Sequence, residues 1–423
     1  MSQLKIRRFR HLHEVLLLSL PTSILTGILL TVLLPALSLW GMKALIEPNA
    51  GQMAALVMTS CAFILGKLSI SKNSQKYPGA YSAWLIFPTL LIIYALLYAF
   101  TFFLRFDASR ALLLSSGVLS IGWLHVEHIL TSKYKTVKLA VLKGGEADSL
   151  IGLPGLDARY IVDLDLEGRR FDGVVADFYC LDPGTERFLT QCALKHIAVY
   201  NAREVFESVT GRVQIDRMSE NNIGALLPSR QYEIAKMVFD YTIVLTSSLI
   251  VLPICLLTAI AIRIESPGKA IYTQTRIGQG NRPFTIYKLR SMRFDRHATE
   301  KFAGEDDPRI TRIGKIIRKL RIDELPQFYN VLRGEMSLIG PRPEQPSFVK
   351  EFDEIIPFYS YRHVVKPGIT GWAQIRHGYA ASTEDTKIKI QHDLYYIKNC
   401  SFQLDLYITF MTLKTMLTGF GAR

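Results

Sequence analysis

Two adjacent carboxylates, Asp323 and Glu324, lie in the segment Asp-Glu-Leu-Pro-Gln between two groups of basic residues. Lys288 and Arg290 precede them in Lys-Leu-Arg-Ser-Met, and Arg342 follows them in Gly-Pro-Arg-Pro. Proline and glycine restrict the backbone there, and a fixed guanidinium is well suited to phosphate. An ionised aspartate can act as a nucleophile or bind a hard cation. These residue types and their spacing predict a site that handles phosphate groups.

The carboxylate pair is predicted to open a helix. Asp323 is a favourable N-cap residue, and Pro326 is tolerated in a first helical turn. The helix dipole would stabilise each carboxylate by about 0.3–1 kcal/mol, which favours the ionised forms at neutral pH. Upstream, basic residues at spacings of three and four predict one helical face that is mostly solvated or turned to lipid headgroups. These residues are Arg309, Arg312, Lys315, Arg318 and Lys319.

The elements that must position this site begin with a membrane-embedded first third. Hydrophobic residues make up 49% of the chain and the net charge is +13. This balance suits anionic lipids or phosphorylated substrates, and no aromatic-interleaved basic motif indicates nucleic acid binding. Four apolar segments approach or exceed the ~20 residues that cross a bilayer, and Lys67 makes the second the weakest. The segments are 14–40, 52–70, 81–104 and 111–130.

The distribution of Lys and Arg predicts that the N-terminus and the C-terminus of this four-helix bundle both lie in the cytoplasm. The first segment is too long for a cleavable signal peptide and lacks a small-residue cleavage pattern. His125, Glu127 and His128 look like a metal cluster. We interpret them instead as polar groups at the cytoplasmic end of the fourth helix.

From about residue 136 the pattern predicts a small parallel α/β unit. Strands are expected at Val137–Leu142, Tyr160–Leu164, Val174–Phe178 and Ile197–Tyr200, with a helix at Gly184–Leu194. A dinucleotide site requires G-x-G-x-x-G after the first strand. The turn here has Gly144 and Gly145 but no third glycine, and Glu146 would lie near the pyrophosphate. Nucleotide binding stays open beside a degenerate Rossmann-like domain used for assembly or regulation.

The apolar run 237–262 is long enough to cross a bilayer. Basic residues flank it on both sides, however, which places both of its ends in the cytoplasm. Ser247, Ser248 and Pro253 lie in the middle of the run. Proline interrupts helical hydrogen bonding, and serine hydroxyls can satisfy the freed backbone groups. The pattern favours a kinked, re-entrant helix over an ordinary crossing.

Two features lie beyond the carboxylates. The segment Lys-Pro-Gly-Ile-Thr-Gly-Trp-Ala-Gln predicts a tight loop, with Trp372 at the membrane interface. Residues 402–420 form an apolar stretch interrupted by Asp405 and Lys414. This stretch is predicted to be a helix on the membrane surface.

Residues 231–423 resemble the bacterial sugar transferase family of monotopic phosphoglycosyl transferases. The preceding helices and Rossmann-like domain resemble its large branch, the polyisoprenyl-phosphate hexose-1-phosphate transferases. Leu289 replaces a more usual Phe and Ile322 a Leu, and neither change removes a reactive group. Four motifs carry the resemblance: QTRIGQGNRPFTIYKLRSM, DPRITRIGKIIRKLRIDELPQFYNVLRGEMSLIGPRP, KPGITGWAQI and HDLYYIKN.

The resemblance implies an enzyme of the bacterial inner membrane with its catalytic domain on the cytoplasmic face. It would move a sugar 1-phosphate from a nucleoside diphosphate sugar, such as a UDP-hexose, to polyprenyl (undecaprenyl) phosphate. That transfer would initiate exopolysaccharide, capsule or O-antigen synthesis. Membrane lipids are implied as partners, and a homodimer is left open.

The resemblance also implies residue roles. Asp323 would be the nucleophile that forms a covalent phosphosugar intermediate, and Glu324 would hold Mg²⁺. Phosphate binding or stabilisation of the transferring group would fall to basic residues. These are Lys288, Arg290, Arg309 and Arg342.

The expected fold class is membrane α plus α/β. Its parts are a transmembrane four-helix bundle (1–133), a Rossmann-like cytoplasmic domain (134–215), a linker (216–230), a re-entrant membrane helix (231–263) and a mostly helical α/β catalytic domain with interfacial helices (264–423).

Three other functions are weighed against the transferase. A membrane-tethered, nucleotide-binding oxidoreductase or dehydratase would require a complete glycine fingerprint. A transporter or flippase would require charges at mid-span, and the first, third and fourth apolar segments have none there. A non-catalytic assembly scaffold would lack a carboxylate or a basic residue of the 288–342 region, and all are present.

Overall fold

The structure is a computed structural model with two compact units, Met1–Gly211 and Arg212–Arg423. The first unit contains apolar helices and a parallel sheet, and the second contains the carboxylate pair. The structure describes residues 19–74, 86–105, 108–132, 137–161, 164, 166, 171–215, 227–293, 309–377 and 383–418.

Apolar helices dominate the first unit up to residue 132. They are α1 (Leu20–Ile28), a π-helical turn (Leu29–Leu33), α2 (Leu34–Ile46), α3 (Ala50–Ser74), α4 (Ile86–Phe103) and α5 (Arg110–Ser132). Gly41 bends α2 with a left-handed φ of 76°. Four stretches are long and apolar enough to span a membrane, and each corresponds to one predicted segment. A four-helix transmembrane bundle and its orientation stay a prediction.

A buried ion pair links the helices of this unit. Lys67 of α3 pairs with Glu127 of α5, and Ser23 Oγ of α1 donates to the same carboxylate at 2.7 Å. A buried charge requires such a partner. The lysine is therefore accommodated inside the helix assembly, and Glu127 contacts other helices rather than only ending one. His125 Nδ1 lies 2.8 Å from the Ile121 carbonyl.

The predicted parallel α/β unit is confirmed. Its elements are β1 (Val137–Leu142), β2 (Leu156–Ile161), β3 (Gly173–Ala176), α6 (Pro183–Leu194), β4 (Val199–Asn201) and α7 (Ala202–Thr210). The parallel strands have the order β2-β1-β3-β4. The buried residues of β1 and β3 contribute to two clusters, one that contains Val141 and Phe206 and one that contains Val174 and Phe188.

The carboxyl edge of this sheet, where ligands bind in open α/β folds, is filled by the protein's own side chains. A short 3₁₀ turn (Gly145–Leu150) follows β1. The amide of buried Glu146 donates to Asp177 Oδ2 at 2.9 Å, and its carboxylate pairs with Arg203 at 3.1 Å. A phosphate there would lie beside the carboxylates of Glu146 and Asp177, and the Glu146 amide already donates its hydrogen bond to Asp177. This arrangement favours assembly or regulation over nucleotide binding.

The second unit is built around one long helix and two small sheets. Its elements are α8 (Arg230–Glu265), β5 (Ile271–Ile277), β6 (Pro283–Leu289), α9 (Arg312–Lys319), α10 (Phe328–Leu332), β7 (Ser337–Ile339), α11 (Pro346–Ile355), β8 (Gly368–Thr370), α12 (Trp372–Arg376), α13 (Thr383–Lys398) and α14 (Phe402–Thr418). β5 and β6 form an antiparallel hairpin, and β7 and β8 run parallel. Val213 also belongs here, because its amide donates to Gln391 O at 3.1 Å.

α8 continues without interruption for 36 residues, with Pro253 in its interior. Ser247 and Ser248 donate to carbonyls four and three residues earlier, at 2.5 and 2.6 Å. A helical serine reaches only carbonyls that precede it. The prediction that these serines satisfy the group freed by Pro253 is therefore wrong, because that carbonyl belongs to Leu249. The re-entrant path itself stays a prediction.

Both ends of the apolar run in α8 pack against the same domain. Val244 is buried with Ile286 of β6, and Ile262 is buried with Leu289 of the same strand. Asp240, the one charge in the run, is buried and accepts from Ser337 Oγ at 2.6 Å. Exposed apolar residues lie between these two contacts: Leu245, Leu249, Ile250, Leu252, Leu256, Leu257 and Ile260.

One expectation beyond the carboxylates is corrected, and the membrane-surface position of α14 stays a prediction. Trp372 is 1% exposed and stacks on Tyr395, so it belongs to the core rather than to an interface. Asp405 of α14 is also buried, and it accepts from Lys236 Nζ and Tyr396 Oη at 2.8 Å each. One side of α14 is therefore fixed inside the unit, because an apolar stretch can cover a protein core as well as a lipid surface.

Candidate active site

The β5–β6 hairpin holds Lys288 towards the carboxylate turn. Side chains alternate along a strand, so Lys288 points to the same side as buried Ile286. Asn330 of α10 is fully buried; its Nδ2 donates to Thr285 O at 2.7 Å, and its Oδ1 accepts from the Tyr287 amide at 3.3 Å. Asn330 therefore fastens the helix after the carboxylates to the strand that carries the lysine.

The carboxylates lie in a 3₁₀ turn (Ile322–Gln327) that leads into α10. Arg321 precedes the turn with a left-handed φ of 54°, and the Glu324 amide donates to its carbonyl at 3.2 Å. An N-cap residue requires extended backbone. The chain reverses directly after α9 and leaves no extended residue, so the predicted N-cap at Asp323 is wrong.

Glu324 is buried among three cations. Its Oε1 accepts from Arg342 Nη2 at 2.9 Å and from Lys288 Nζ at 3.2 Å, and Arg321 Nη1 lies 3.7 Å from Oε2. Burial alone would raise the pKa of Glu324. Arg342, Lys288 and Arg321 outweigh burial and hold that pKa well below its usual range. Glu324 is therefore a fixed negative charge at neutral pH.

Asp323 differs from its neighbour. Burial, and then the charge of Glu324, raise the pKa of Asp323 to about 6, although Lys288, Arg342 and Arg318 act in the opposite direction. The expected net stabilisation of ionised Asp323 by a helix dipole is wrong, because burial beside a second carboxylate is the larger effect. The group is still mostly ionised at pH 7. Asp323 is only half-buried, whereas Glu324 is buried.

Two turn motifs meet to present Arg342. The Gly340 amide donates to Thr370 O at 2.8 Å, beside the parallel β7–β8 pair. A Cβ at Gly340 would lie 2.4 Å from the Lys366 carbonyl oxygen, so only glycine permits this approach. The Gly-Pro-Arg-Pro segment is thus fixed by the loop that contains Lys-Pro-Gly-Ile-Thr-Gly.

Buried ion pairs hold the backbone on both sides of Arg342. Arg362, 2% exposed, donates to the Arg342 carbonyl and to Asp393 Oδ2, at 2.8 Å each. Glu344 accepts from Lys389 Nζ at 2.7 Å. Burial would raise the pKa of Glu344, but Lys389 and Arg362 lower it to about 2. The backbone on both sides of Arg342 is therefore tied to charges that persist at neutral pH.

Comparison with known proteins puts this geometry in context. The family model described as bacterial sugar transferase matches residues 231–419, which contain the carboxylate turn and its cations. A protein of Aeromonas hydrophila, named UDP-N-acetylgalactosamine-undecaprenyl-phosphate N-acetylgalactosaminephosphotransferase, is 45% identical over 421 residues, or 99% of each chain. The chain belongs to the bacterial sugar transferase family. The resemblance carried by its sequence motifs is confirmed.

Two further relatives match less of this sugar transferase. A UDP-glucose:undecaprenyl-phosphate glucose-1-phosphate transferase of Escherichia coli is 40% identical over 170 residues, 39% of this chain and 36% of the relative. A protein of the same name from Caulobacter vibrioides is 40% identical over 199 residues, 46% of this chain and 74% of the relative.

Two predicted phosphate-binding residues of the sugar transferase have partners within the protein. Arg290 is buried and donates to Ser266 O at 2.7 Å, Ser266 Oγ at 2.9 Å and Pro267 O at 2.8 Å. It therefore joins the end of β6 to the end of α8, and a phosphate contact would require these bonds to open. The Arg309 carbonyl accepts from the Arg293 amide at 2.8 Å. Phosphate binding by both arginines stays a prediction.

Two residues near the carboxylates were not predicted as members of the site. Arg318 belongs to the basic face expected to be solvated, yet its Nη1 is buried without a hydrogen bond and its charge lowers the pKa of Asp323. Arg321 pairs with Glu324. Arg321 and Glu324 are three residues apart, and this spacing is a sequence signal for the contact between them. The change of direction after α9, which the sequence pattern does not reveal, brings both cations to the carboxylates.

A Mg²⁺ ion fits the donor set here. In phosphate-transfer sites Mg²⁺ is commonly held by one or two carboxylates together with substrate phosphates. Glu324 Oε2 is buried and has no hydrogen-bond partner, and Asp323 is adjacent. Among the described residues, no group of three His, Cys, Asp or Glu could hold a metal. The ion would therefore depend on substrate phosphates for its remaining ligands.

The pH dependence of the sugar transferase reaction tests the state of Asp323. If Asp323 is the nucleophile, as the sequence resemblance implies, the initial rate with saturating acceptor should fall below about pH 6, by about tenfold per pH unit, because the attack requires the ionised carboxylate. Glu324→Gln should lower the rate and also move this acid limb to lower pH, because it removes a charge that raises the pKa of Asp323. Glu335→Gln should leave the limb in place. An unmoved limb in Glu324→Gln would contradict the assignment.

Proposed function

We propose that the protein transfers a sugar 1-phosphate from a UDP-sugar to undecaprenyl phosphate through a covalent aspartyl-phosphosugar intermediate. The observation that carries this proposal is the contrast within the carboxylate pair. Glu324 is held by three cations, whereas Asp323 is half-buried with a pKa of about 6. The whole-chain similarity to the Aeromonas hydrophila enzyme supports it. The product would start the synthesis of an exopolysaccharide, capsule or O-antigen.

In the first step, a carboxylate oxygen of Asp323 attacks the phosphorus that bears the sugar. The bond between this phosphorus and the bridging oxygen of the diphosphate breaks, and that oxygen leaves with its electron pair on UMP. Lys288 and Arg342 already flank the carboxylates and would stabilise the charge that develops on the phosphoryl oxygens. A bound Mg²⁺, held by Glu324, would offset charge on the diphosphate.

In the second step, a phosphate oxygen of undecaprenyl phosphate attacks the same phosphorus. The bond to Asp323 breaks, and the carboxylate is restored. One phosphoanhydride is broken in the donor and one is formed in the product, so the exchange requires no ATP. Both steps take place at the same phosphorus beside Asp323, so the cations that stabilise charge in the first step would also stabilise it in the second.

The sugar is inferred from the relatives. The Aeromonas hydrophila protein, whose name specifies N-acetylgalactosamine, matches 99% of this chain, whereas the two glucose transferases match less than half of it. UDP-N-acetylgalactosamine is therefore our first candidate donor, and UDP-glucose is the second.

Replacement of the nucleophile gives the most direct test. Detergent-solubilised Asp323→Asn enzyme should release no UMP from any UDP-sugar, because an amide does not attack phosphorus at a useful rate. The wild type, quenched with donor alone, should carry the mass of a sugar phosphate on the peptide with Asp323. Asp157→Asn, at an exposed ion pair, is the matched control. Turnover by Asp323→Asn, or turnover by the wild type without the adduct, would contradict the mechanism.

Metal removal tests the role given to Glu324. EDTA should abolish UMP release, and Mg²⁺ should restore it, because without the metal the donor diphosphate and the departing UMP lack their counter-charge. Glu324→Gln should raise the Mg²⁺ concentration needed for half-maximal rate. An unchanged rate in EDTA would remove the metal from the mechanism.

The packing of α8 supports a re-entrant path. In a straight helix Val244 and Ile262 would be about 27 Å apart. The two clusters that bury them include Ile286 and Leu289, which are three residues apart in one strand, a separation of about 10 Å. This mismatch favours a bend near Pro253. The exposed apolar residues between the contacts would then enter one leaflet, while both ends stay with the catalytic domain on the cytoplasmic side.

Labelling of both ends tests this path. In a variant without the five native cysteines, Leu227→Cys and Lys269→Cys should each react with a membrane-impermeant maleimide in inverted vesicles and not in intact spheroplasts. Leu252→Cys, within the exposed apolar part, should react in neither. Reaction of Lys269→Cys in spheroplasts would show that α8 crosses the membrane.

A further inference from the structure

Arg321 has an unfavourable backbone conformation directly before the carboxylate turn. Among the described residues, five non-glycine residues have a positive φ, and Arg321 is the one that adjoins this turn. The left-handed conformation costs free energy for any residue with a Cβ, and glycine adopts it readily. Strain of this kind is often found at functional sites. A side chain is therefore kept here at the expense of stability.

The guanidinium of Arg321 is directed at one particular atom. Glu324 Oε1 already accepts hydrogen bonds from Lys288 and Arg342, whereas Oε2 is buried and has no hydrogen-bond partner. Arg321 Nη1 lies 3.7 Å from Oε2, and the Arg321 side chain is 22% exposed. Arg321 thus places a cation beside the oxygen that accepts no hydrogen bond from Lys288 or Arg342.

Backbone and side chain act on the same residue. The Arg321 amide donates to Arg318 O at 3.1 Å, and its carbonyl accepts from the Glu324 amide at 3.2 Å. The residue therefore joins the end of α9 to the start of the turn. Its side chain reaches the carboxylate of Glu324, three residues later, and its carbonyl accepts from the amide of the same residue.

We infer that Arg321 is a positioning residue that fixes the second oxygen of Glu324 and thereby keeps that carboxylate turned for the donor diphosphate. This inference rests on the proposed function. Loss of the guanidinium would leave Oε2 buried without a counter-charge, and the carboxylate would be free to rotate about its remaining contacts. Residues that orient a functional ligand commonly contribute 10- to 100-fold to activity or metal affinity.

Substitution of Arg321 by glycine, alanine and lysine separates the effect of its charge from the effect of its strained backbone. Arg321→Gly keeps the left-handed backbone without strain and removes the charge, and Arg321→Ala removes the charge and keeps the strain. Arg321→Lys keeps both the charge and the strain. We expect kcat for UMP release to fall about 10- to 100-fold in the Gly and Ala variants, with less than about threefold change in the donor KM. Lys should restore most of the rate.

Thermal unfolding provides a second readout. Arg321→Gly should melt at a higher temperature than Arg321→Ala, because both variants lose the guanidinium and only glycine relieves the strain. Arg333→Ala, which removes a half-exposed cation paired with Glu335, is the control for net charge and should keep the wild-type kcat. Wild-type kcat in Arg321→Gly would overturn the inference, as would a kcat in Arg321→Lys as low as in Arg321→Gly. Absence of UMP release and adduct in the wild type would instead overturn the proposed function.

Discussion

The burial of Glu324 is the constraint on which the rest of the catalytic unit depends. An ionised carboxylate away from water is destabilising unless cations surround it. Those cations come from different elements: Lys288 from strand β6, Arg342 from the turn after β7, and Arg321 from the end of α9. The position of each element therefore matters for the stability of the ionised carboxylate. Buried contacts of Asn330 hold the hairpin, and buried contacts of Arg362 hold the turn with Arg342, so that both cations stay close to Glu324.

The same constraint connects the site to α8, the helix that we propose enters the membrane. β6 carries Lys288 and also provides Ile286 and Leu289, which bury the two ends of the apolar part of α8. A movement of α8 relative to the lipid would therefore act on the strand that holds the lysine. Asp240 adds a polar contact between α8 and Ser337 of β7, close in sequence to Arg342. On the re-entrant path that we propose, α8 would also fix the distance between these cations and the bilayer surface.

The sequence predicts the elements of this protein better than their connections. The apolar helices, the parallel α/β unit and the residues Asp323, Glu324, Lys288 and Arg342 follow from periodicity and from motifs, because both are local. The buried partners of Arg290, the core position of Trp372 and the nearness of Arg318 to Asp323 depend on chain reversals that no local pattern specifies. The N-cap at Asp323 failed for the same reason, since Arg321 takes a conformation rarely seen outside glycine.

Charge balance differs between the two acidic sites of this chain. At the edge of the parallel sheet, Glu146 and Asp177 share the site with Arg203, so negative charge is in excess. At the carboxylate turn, two carboxylates face four cations, Lys288, Arg318, Arg321 and Arg342. The surplus of positive charge is not compensated within this cluster, and an anionic donor diphosphate would compensate it. The parallel sheet looks like a nucleotide-binding fold, but the charges favour the turn as the place where the proposed phosphate chemistry occurs.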